Sequence, residues 1–229
     1  MDLEYIHDER HKRILEFIAP SRDDKILVIG TGNCPRIEFL LFTLYGCESI
    51  VSGDIKPAHT EAGRAALPKL KFIHLDAQQP FPLEDGLFDK VVFTEVLEHL
   101  KDEDLPLQEI RRVLKPSGIL ILSVPKRRWF RVLNPVWWLE HEREYTEDSL
   151  AEALSRNGFR IERQFVGGSI FDVLRLWVFL VNKYVFRTIR DVRLFRSIYE
   201  RSYRPDFKGQ GLGIIVKAVV KPVGSTKSG

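Results

Sequence analysis

Short apolar runs that end in a turn residue or an acid recur through the first 125 residues, and helix-forming stretches separate them. KILVIG (25–30), SIVSGD (49–54), KFIHLD (71–76), FDKVVFTE (88–95) and GILILSVP (118–125) are β-branched and bounded by Gly, Asp or Pro, which predicts strands. Between them, PRIEFLLFTLYG (35–46), the AHTEAGRAALPKL segment and DLPLQEIRRVLKP (104–116) carry helical spacing or helix-forming composition. Pro35 suits a first helical position and Gly46 a helix stop. A further helix, from about Glu4 to Ile18, precedes the first strand. Apolar strands that alternate with helices must be buried on both faces, so the pattern predicts a mostly parallel sheet between helical layers.

The second half continues with a helix at TEDSLAEALSRNGF, capped at Thr146 and stopped at Gly158. FRIERQFV (159–166) and GLGIIVKAVVKP (211–222) read as two more strands. The stretch between them is far longer than an ordinary connection. We expect a helical insertion over 168–209 inside one domain spanning 1–229. No run of about 18 uncharged apolar residues predicts a membrane-crossing helix. The first residues, MDLEYIHDERHKR, have no apolar leader core. Cys34 and Cys47 are too few for a disulfide framework. These features together suggest a cytoplasmic protein.

KILVIGTGNCPR sets a Gly-x-Gly turn directly between a strand and a helix. Gly30 and Gly32 let the backbone approach a ligand with no side chain in the way. Asp54 ends the second strand, where a carboxylate meets ribose hydroxyls, and Asp76-Ala77 ends the third. One Gly-x-Gly is weak evidence. Followed in order by two acids at strand ends, it points to a nucleoside-containing ligand. A nicotinamide dinucleotide would want a third glycine at position 35, which is Pro35 here.

KILVIGTGN, SGDIKP, HLDAQQPFPLEDGLFDKVVFTEVLEHL, EIRRVLKPSGILILSVP and HEREYTEDSLAEALSRNGF together resemble class I S-adenosylmethionine-dependent methyltransferases of the broad small-molecule type, over roughly residues 22–166. The resemblance implies a Rossmann-like, doubly wound seven-stranded sheet, mostly parallel with an antiparallel last strand. It implies S-adenosyl-L-methionine as cofactor. Gly30, Thr31 and Gly32 would face its methionine part, Asp54 the ribose, and Ile55 the adenine. Asp76, with Ala77 beside it, would take the adenine amino group, and Thr94 and Glu95 would line the sulfonium region. Two positions depart from the family pattern: Val28 stands where an acid is usual, and Cys34 where a third glycine is usual. A catalytically silent cofactor-binding domain is therefore an alternative reading, and a nicotinamide oxidoreductase, opposed by Pro35, a second.

Methyl transfer from a sulfonium asks mainly for in-line placement of the reactants. A hydroxyl acceptor gains from a base. His99, His141 and Tyr145 are the catalytic candidates, against packing for His99 and a polar loop clamp for the other two. Glu95 and His99 would share a face if TEVLEHL turned helical. His7 and His11, four apart, read as a solvated helix face, and no metal is expected.

Residues 1–125 hold 15 basic and 21 acidic residues, and the remainder 20 and 11. The basic half also holds all four tryptophans. In PKRRWFRVLNPVWW (125–138), Trp129, Trp137 and Trp138 lie among Lys126, Arg127, Arg128 and Arg131. The insertion sets Ile170, Val173, Leu174, Trp177, Val181 and Tyr184 on one helix face, with Arg190, Arg193, Arg201 and Arg204 near another. This pattern fits a lid over an acceptor pocket, or an interfacial surface for anionic lipid headgroups. It anticipates a small-molecule or lipid-linked acceptor, methylated on oxygen, and peripheral attachment to the inner face of a membrane. No nucleic-acid module is recognisable, so nucleic acid is not an expected partner.

Overall fold

The structure, a computed structural model, describes residues 9–127, 143–168, 201–204 and 211–222. His7, His141, the tryptophan-rich loop at 128–142 and most of the expected insertion lie outside the described residues.

Seven strands form one sheet: β1 (Ile26–Ile29), β2 (Ile50–Asp54), β3 (Lys71–His74), β4 (Phe88–Thr94), β5 (Leu114–Pro125), β6 (Phe159–Gly167) and β7 (Gly213–Val220). Their order is β3-β2-β1-β4-β5-β7-β6. β1 to β5 run parallel, while β7 lies antiparallel between β5 and β6. This is the doubly wound, mostly parallel sheet that the alternating pattern predicts. All four residues of β1 are buried, as a central strand covered on both faces requires.

Two apolar layers enclose the sheet. On one side α1 (Glu9–Ile18) and α2 (Arg36–Tyr45) pack Ile14, Phe17, Ile37 and Leu40 against Ile26 and Val28. On the other, α4 (Asp104–Val113) and α5 (Glu147–Arg156) pack Leu107, Ile110, Leu150 and Leu154 against Leu27 and Ile29. The alternation along β1 follows from the two-residue period of a strand. Between β2 and β3 lies α3 (Pro57–Ala66), whose Gly63 accommodates Phe72: a Cβ there would fall 2.3 Å from the ring.

Local signals set most boundaries. Gly46 closes α2 in a left-handed conformation with its amide on the Leu41 carbonyl. Pro35 is the N-cap of α2, one residue earlier than the sequence reading placed it. Thr146 caps α5 reciprocally with Ser149, and Asn157 is its C-cap, with Gly158 following at φ +81°. Two expectations shift. α4 stops at Val113 and β5 starts at Leu114, because Leu114 already pairs with Phe88 before a register irregularity at Phe88/Lys90. TEVLEHL forms only a short 3-10 turn over Leu97–His99, so Glu95 and His99 share no helix face.

Candidate active site

The sheet changes winding direction between β1 and β4, and the ligand position in such sheets is the crevice beyond the carboxyl ends of the strands at that switch point. A cavity of about 590 Å³ opens there. Gly30, Gly32, Asp54, Ile55, Asp76, Ala77, Glu95 and His99 all line it, although residues 30 and 99 are 69 positions apart in the chain.

The glycine turn forms its floor. Gly30 has φ +91° and donates its amide to the Gly53 carbonyl at 2.8 Å. A Cβ there would fall 2.4 Å from Val96 Cγ2. Gly32 has φ +65°, and a Cβ on it would meet nothing within 4 Å. The chain thus turns left-handed and leaves the space above Gly32 open. Asp54 fixes the turn from β2. Its Oδ2 accepts from the Gly32 amide at 2.9 Å, and its Oδ1 accepts from the Lys56 amide at 2.8 Å. Burial works to raise the Asp54 carboxyl, but those two amides and the nearby His59 ring hold it below its ordinary value. His59 Nδ1 stands 3.1 Å from Oδ2, within ion-pair reach when the ring is protonated though not aligned for a hydrogen bond.

Ile55, beside Asp54, is 52% exposed, one of three exposed large apolar side chains among the described residues, and its place on the cavity wall gives that exposure a use. Asp76 Oδ1 accepts from the Gln78 amide at 2.8 Å, which orients the carboxylate at the β3 end. Ala77 is buried beside it. Thr31 and Thr94 do not line the cavity. Thr31 points beneath the turn, with its hydroxyl 2.6 Å from Ser52 Oγ. Thr94 is the last residue of β4.

The opposite wall carries Glu95, at φ +54°, a strained conformation for a residue with a side chain. Arg10 from α1 reaches across to it: Nη2 is 2.7 Å from Glu95 Oε1 and also donates to Ser123 Oγ at 3.2 Å. Glu95 is therefore a charge-balanced group. His99 lines the cavity with its side chain 37% exposed.

Tyr145 lies off the cavity. Its hydroxyl donates to Glu103 at 2.7 Å, and burial followed by that bond holds the phenol well above its ordinary range. Beside it the Arg143 amide donates to the Glu98 carbonyl, and the Arg143 side chain meets Glu103 at 3.4 Å. The geometry is that of a clamp, fixing the chain that returns from β5 beside the 98–103 wall. Among the described residues no cluster of three or more metal-ligating side chains occurs, and no helix is long and apolar enough to cross a membrane.

Sequence reasoning missed His59, Arg10 and Glu38. His59 carried a signal, five residues beyond Asp54 in the following helix. Arg10 carried none, because only packing of α1 over the sheet edge brings it to Glu95.

Residues 27–122 match a family described as a methyltransferase domain. A "probable S-adenosylmethionine-dependent methyltransferase" of Mycolicibacterium smegmatis is 33% identical over 118 residues, covering 49% of this chain and 44% of that protein. A ubiquinone/menaquinone biosynthesis C-methyltransferase of Xylella fastidiosa is 30% identical over 167 residues, covering 64% of each. The chain spans about half the length of the curated relatives it matches. Among solved structures, Burkholderia thailandensis 1,6-didemethyltoxoflavin-N1-methyltransferase with bound S-adenosylhomocysteine matches with a TM-score of 0.58 at 13% identity, over 92% of this chain and 76% of its own. The cyclase SpnF matches with a TM-score of 0.66 at 18% identity, over 93% and 80%. At these identities the likeness is one of fold, and the fold does not choose the chemistry.

Proposed function

We propose that the chain, whose residues 27–122 match a methyltransferase domain, is a class I methyltransferase that binds S-adenosyl-L-methionine in the cavity and transfers the methyl group to a small-molecule acceptor. One observation carries the reading. The glycine turn, Asp54-Ile55 and Asp76-Ala77, from three successive strand ends, converge on one cavity of about 590 Å³, a size typical of small-ligand sites.

The residues fit the group. The open space above Gly32 admits a ligand backbone-close. Asp54 offers a carboxylate already held ionised by two amides, suited to ribose hydroxyls. Ile55 offers an exposed apolar face for a base, and Asp76 a carboxylate for its amino edge. When bound, the cofactor supplies an electrophilic methyl group. The chain's own work is to hold both partners, a contribution on the order of 7–11 kcal/mol when alignment is good.

On the acceptor side, Glu95 is paired with Arg10 and His59 faces Asp54. We assign His99, which lines the cavity, as the base for a hydroxyl acceptor, taking its proton as the methyl arrives. Tyr145, bonded to Glu103, acts as a clamp beside this wall, and His141 keeps the acceptor-binding role expected from the sequence. We extend the proposal to amphiphilic or lipid-linked acceptors reached by peripheral membrane attachment. The basic, tryptophan-rich segments support it, as does the ubiquinone/menaquinone relative by its name. The single-domain reading of 1–229, with a helical insertion over 168–209, is part of the same proposal.

Calorimetry with S-adenosylmethionine, S-adenosylhomocysteine and a reduced nicotinamide dinucleotide tests it, followed by transfer of labelled methyl to hydroxylated small molecules. Binding of the first two ligands and label transfer are expected. Binding without transfer to any acceptor turns the reading toward a silent binding domain. Binding of the dinucleotide alone overturns it.

A further inference from the structure

A buried hydroxyl relay runs beneath the glycine turn. Glu38, in the first turn of α2, is 1% exposed. Its Oε1 accepts from Ser52 Oγ at 2.5 Å, and Ser52 Oγ lies 2.6 Å from Thr31 Oγ1. A serine has one hydroxyl proton. Ser52 commits it to Glu38, so Thr31 is the donor to Ser52. The hydrogens therefore run one way, from the turn to Ser52 to the carboxyl.

The relay occupies a place that an apolar core would fill at lower cost. Ser52 is directly opposite Val28 in the β1–β2 ladder, and Val28, Ile37, Leu40 and Leu41 pack in the apolar layer around Glu38. A carboxyl in such surroundings opposes folding unless its bonds do something in return. Its upper end is the turn itself. Thr31 sits between two left-handed glycines, and the next amide, that of Gly32, is the one donated to Asp54. Fixing the Thr31 side chain fixes the peptide plane that aims this amide.

We propose that Glu38 is a positioning residue of the ligand cavity, holding the Gly30–Gly32 turn on Asp54 through Ser52 and Thr31. The ligand named in its test rests on the methyltransferase reading above; the relay itself does not. An ionised carboxylate is the stronger acceptor and keeps the relay running toward α2, whereas a protonated one can reverse it. Burial pushes the carboxyl up to about 7, against the Ser52 bond and its own amide, with the Asp54 charge adding to the rise. The turn is therefore held most firmly above that pH. Asp54 is the charged group that acts on Glu38 across the turn, and His59 faces Asp54 in turn from α3.

The test uses the ligand-free full chain labelled with nitrogen-15, in a His59→Gln background because imidazoles titrate in the same range. The Thr31 and Gly32 amide resonances are followed from about pH 5.5 to 8.5, across the window that linkage sets. Both should shift with a midpoint near 7, and the transition should vanish in Glu38→Gln, which can still accept from Ser52. Thr31→Val, which cuts the relay and leaves Glu38 in place, should remove the response at Gly32 and serves if Glu38→Gln fails to fold. S-adenosylhomocysteine affinity should rise about threefold or more between the ends of the range in the relay-intact protein and stay flat in both variants. A transition that persists in Glu38→Gln, or that is absent from the relay-intact protein, overturns the proposal. Failure of the homocysteine ligand to bind any of the proteins overturns the functional reading instead, and the amide titration still decides the relay.

Discussion

Replacing Asp54 by alanine removes the acceptor of two backbone amides at once, those of Gly32 and Lys56. A hydrogen bond to a charged group contributes about 1.5–3 kcal/mol net. The Asp54 side chain is only 8% exposed, but both amides border the cavity, where water recovers part of what the carboxylate gave. The expected loss of folding stability is therefore that of about one such bond, roughly 1.5–3 kcal/mol, not two. Loss of the proposed ribose contact should weaken S-adenosylhomocysteine by a similar free energy, about ten- to hundredfold in affinity. Denaturant unfolding with an unchanged slope reads the first quantity, and calorimetry on the folded variant reads the second. Asp54→Asn, which keeps a neutral acceptor for one amide, should fall between. A folded Asp54→Ala protein within about 0.5 kcal/mol of the parent, the scatter of ordinary surface changes, and with unchanged ligand affinity, would show that the turn does not depend on the carboxylate.

Gly30→Ala puts a Cβ 2.4 Å from Val96 Cγ2 at a left-handed φ; we expect a loss of about 1–3 kcal/mol in stability together with loss of homocysteine-ligand binding, and a normal melting curve with intact binding would refute the turn geometry. Tyr145→Phe removes the bond to Glu103 and should cost about 0.5–1.5 kcal/mol in stability while leaving kcat in place; a collapse of kcat in a stably folded variant would make Tyr145 catalytic. Glu38 has an ordinary carboxyl value of 4.5 when unfolded and about 7 when folded, so the unfolded state holds fewer protons between those values. Relative to Glu38→Gln, the parent should lose stability as pH rises from about 4.5 to 7, level off above, and differ in the end by something on the order of 3 kcal/mol; a difference independent of pH, measured by denaturant titration at each pH, would contradict the raised carboxyl. Arg201 and Arg204 are exposed, and Arg190 and Arg193 lie outside the described residues. If this basic segment meets lipid, sedimentation should show salt-sensitive binding to anionic but not neutral vesicles, lost when the four become glutamine, whereas no binding at low salt would leave a soluble acceptor.

The residues read from sequence as ligand contacts were those at punctuated places. Gly30 and Gly32 follow β1, Asp54 closes β2 and Asp76 follows β3, and in a parallel sheet strand ends gather at one edge whatever the helices do. Boundaries depended on pairing instead. Leu114 reads as the end of a helix by local propensity, yet it enters β5 because Phe88 is available beside it. Arg10 was illegible for the same kind of reason: nothing in HDERHKR says that it will reach Glu95 and Ser123, 85 and 113 positions away.

Sequence by itself determined the alternation of strands and helices, the layers they build and the punctuated strand ends that gather at one edge. Those follow from periodicity and turn chemistry, which act over a few residues and are written in order along the chain. Tertiary structure alone decided the charge states at that edge. It paired Glu95 with Arg10, held Asp54 ionised with two amides, and buried Glu38 where its carboxyl is pushed up to about 7. A charge depends on the distance to its partners and on the water excluded around it, and neither exists until distant segments have packed together.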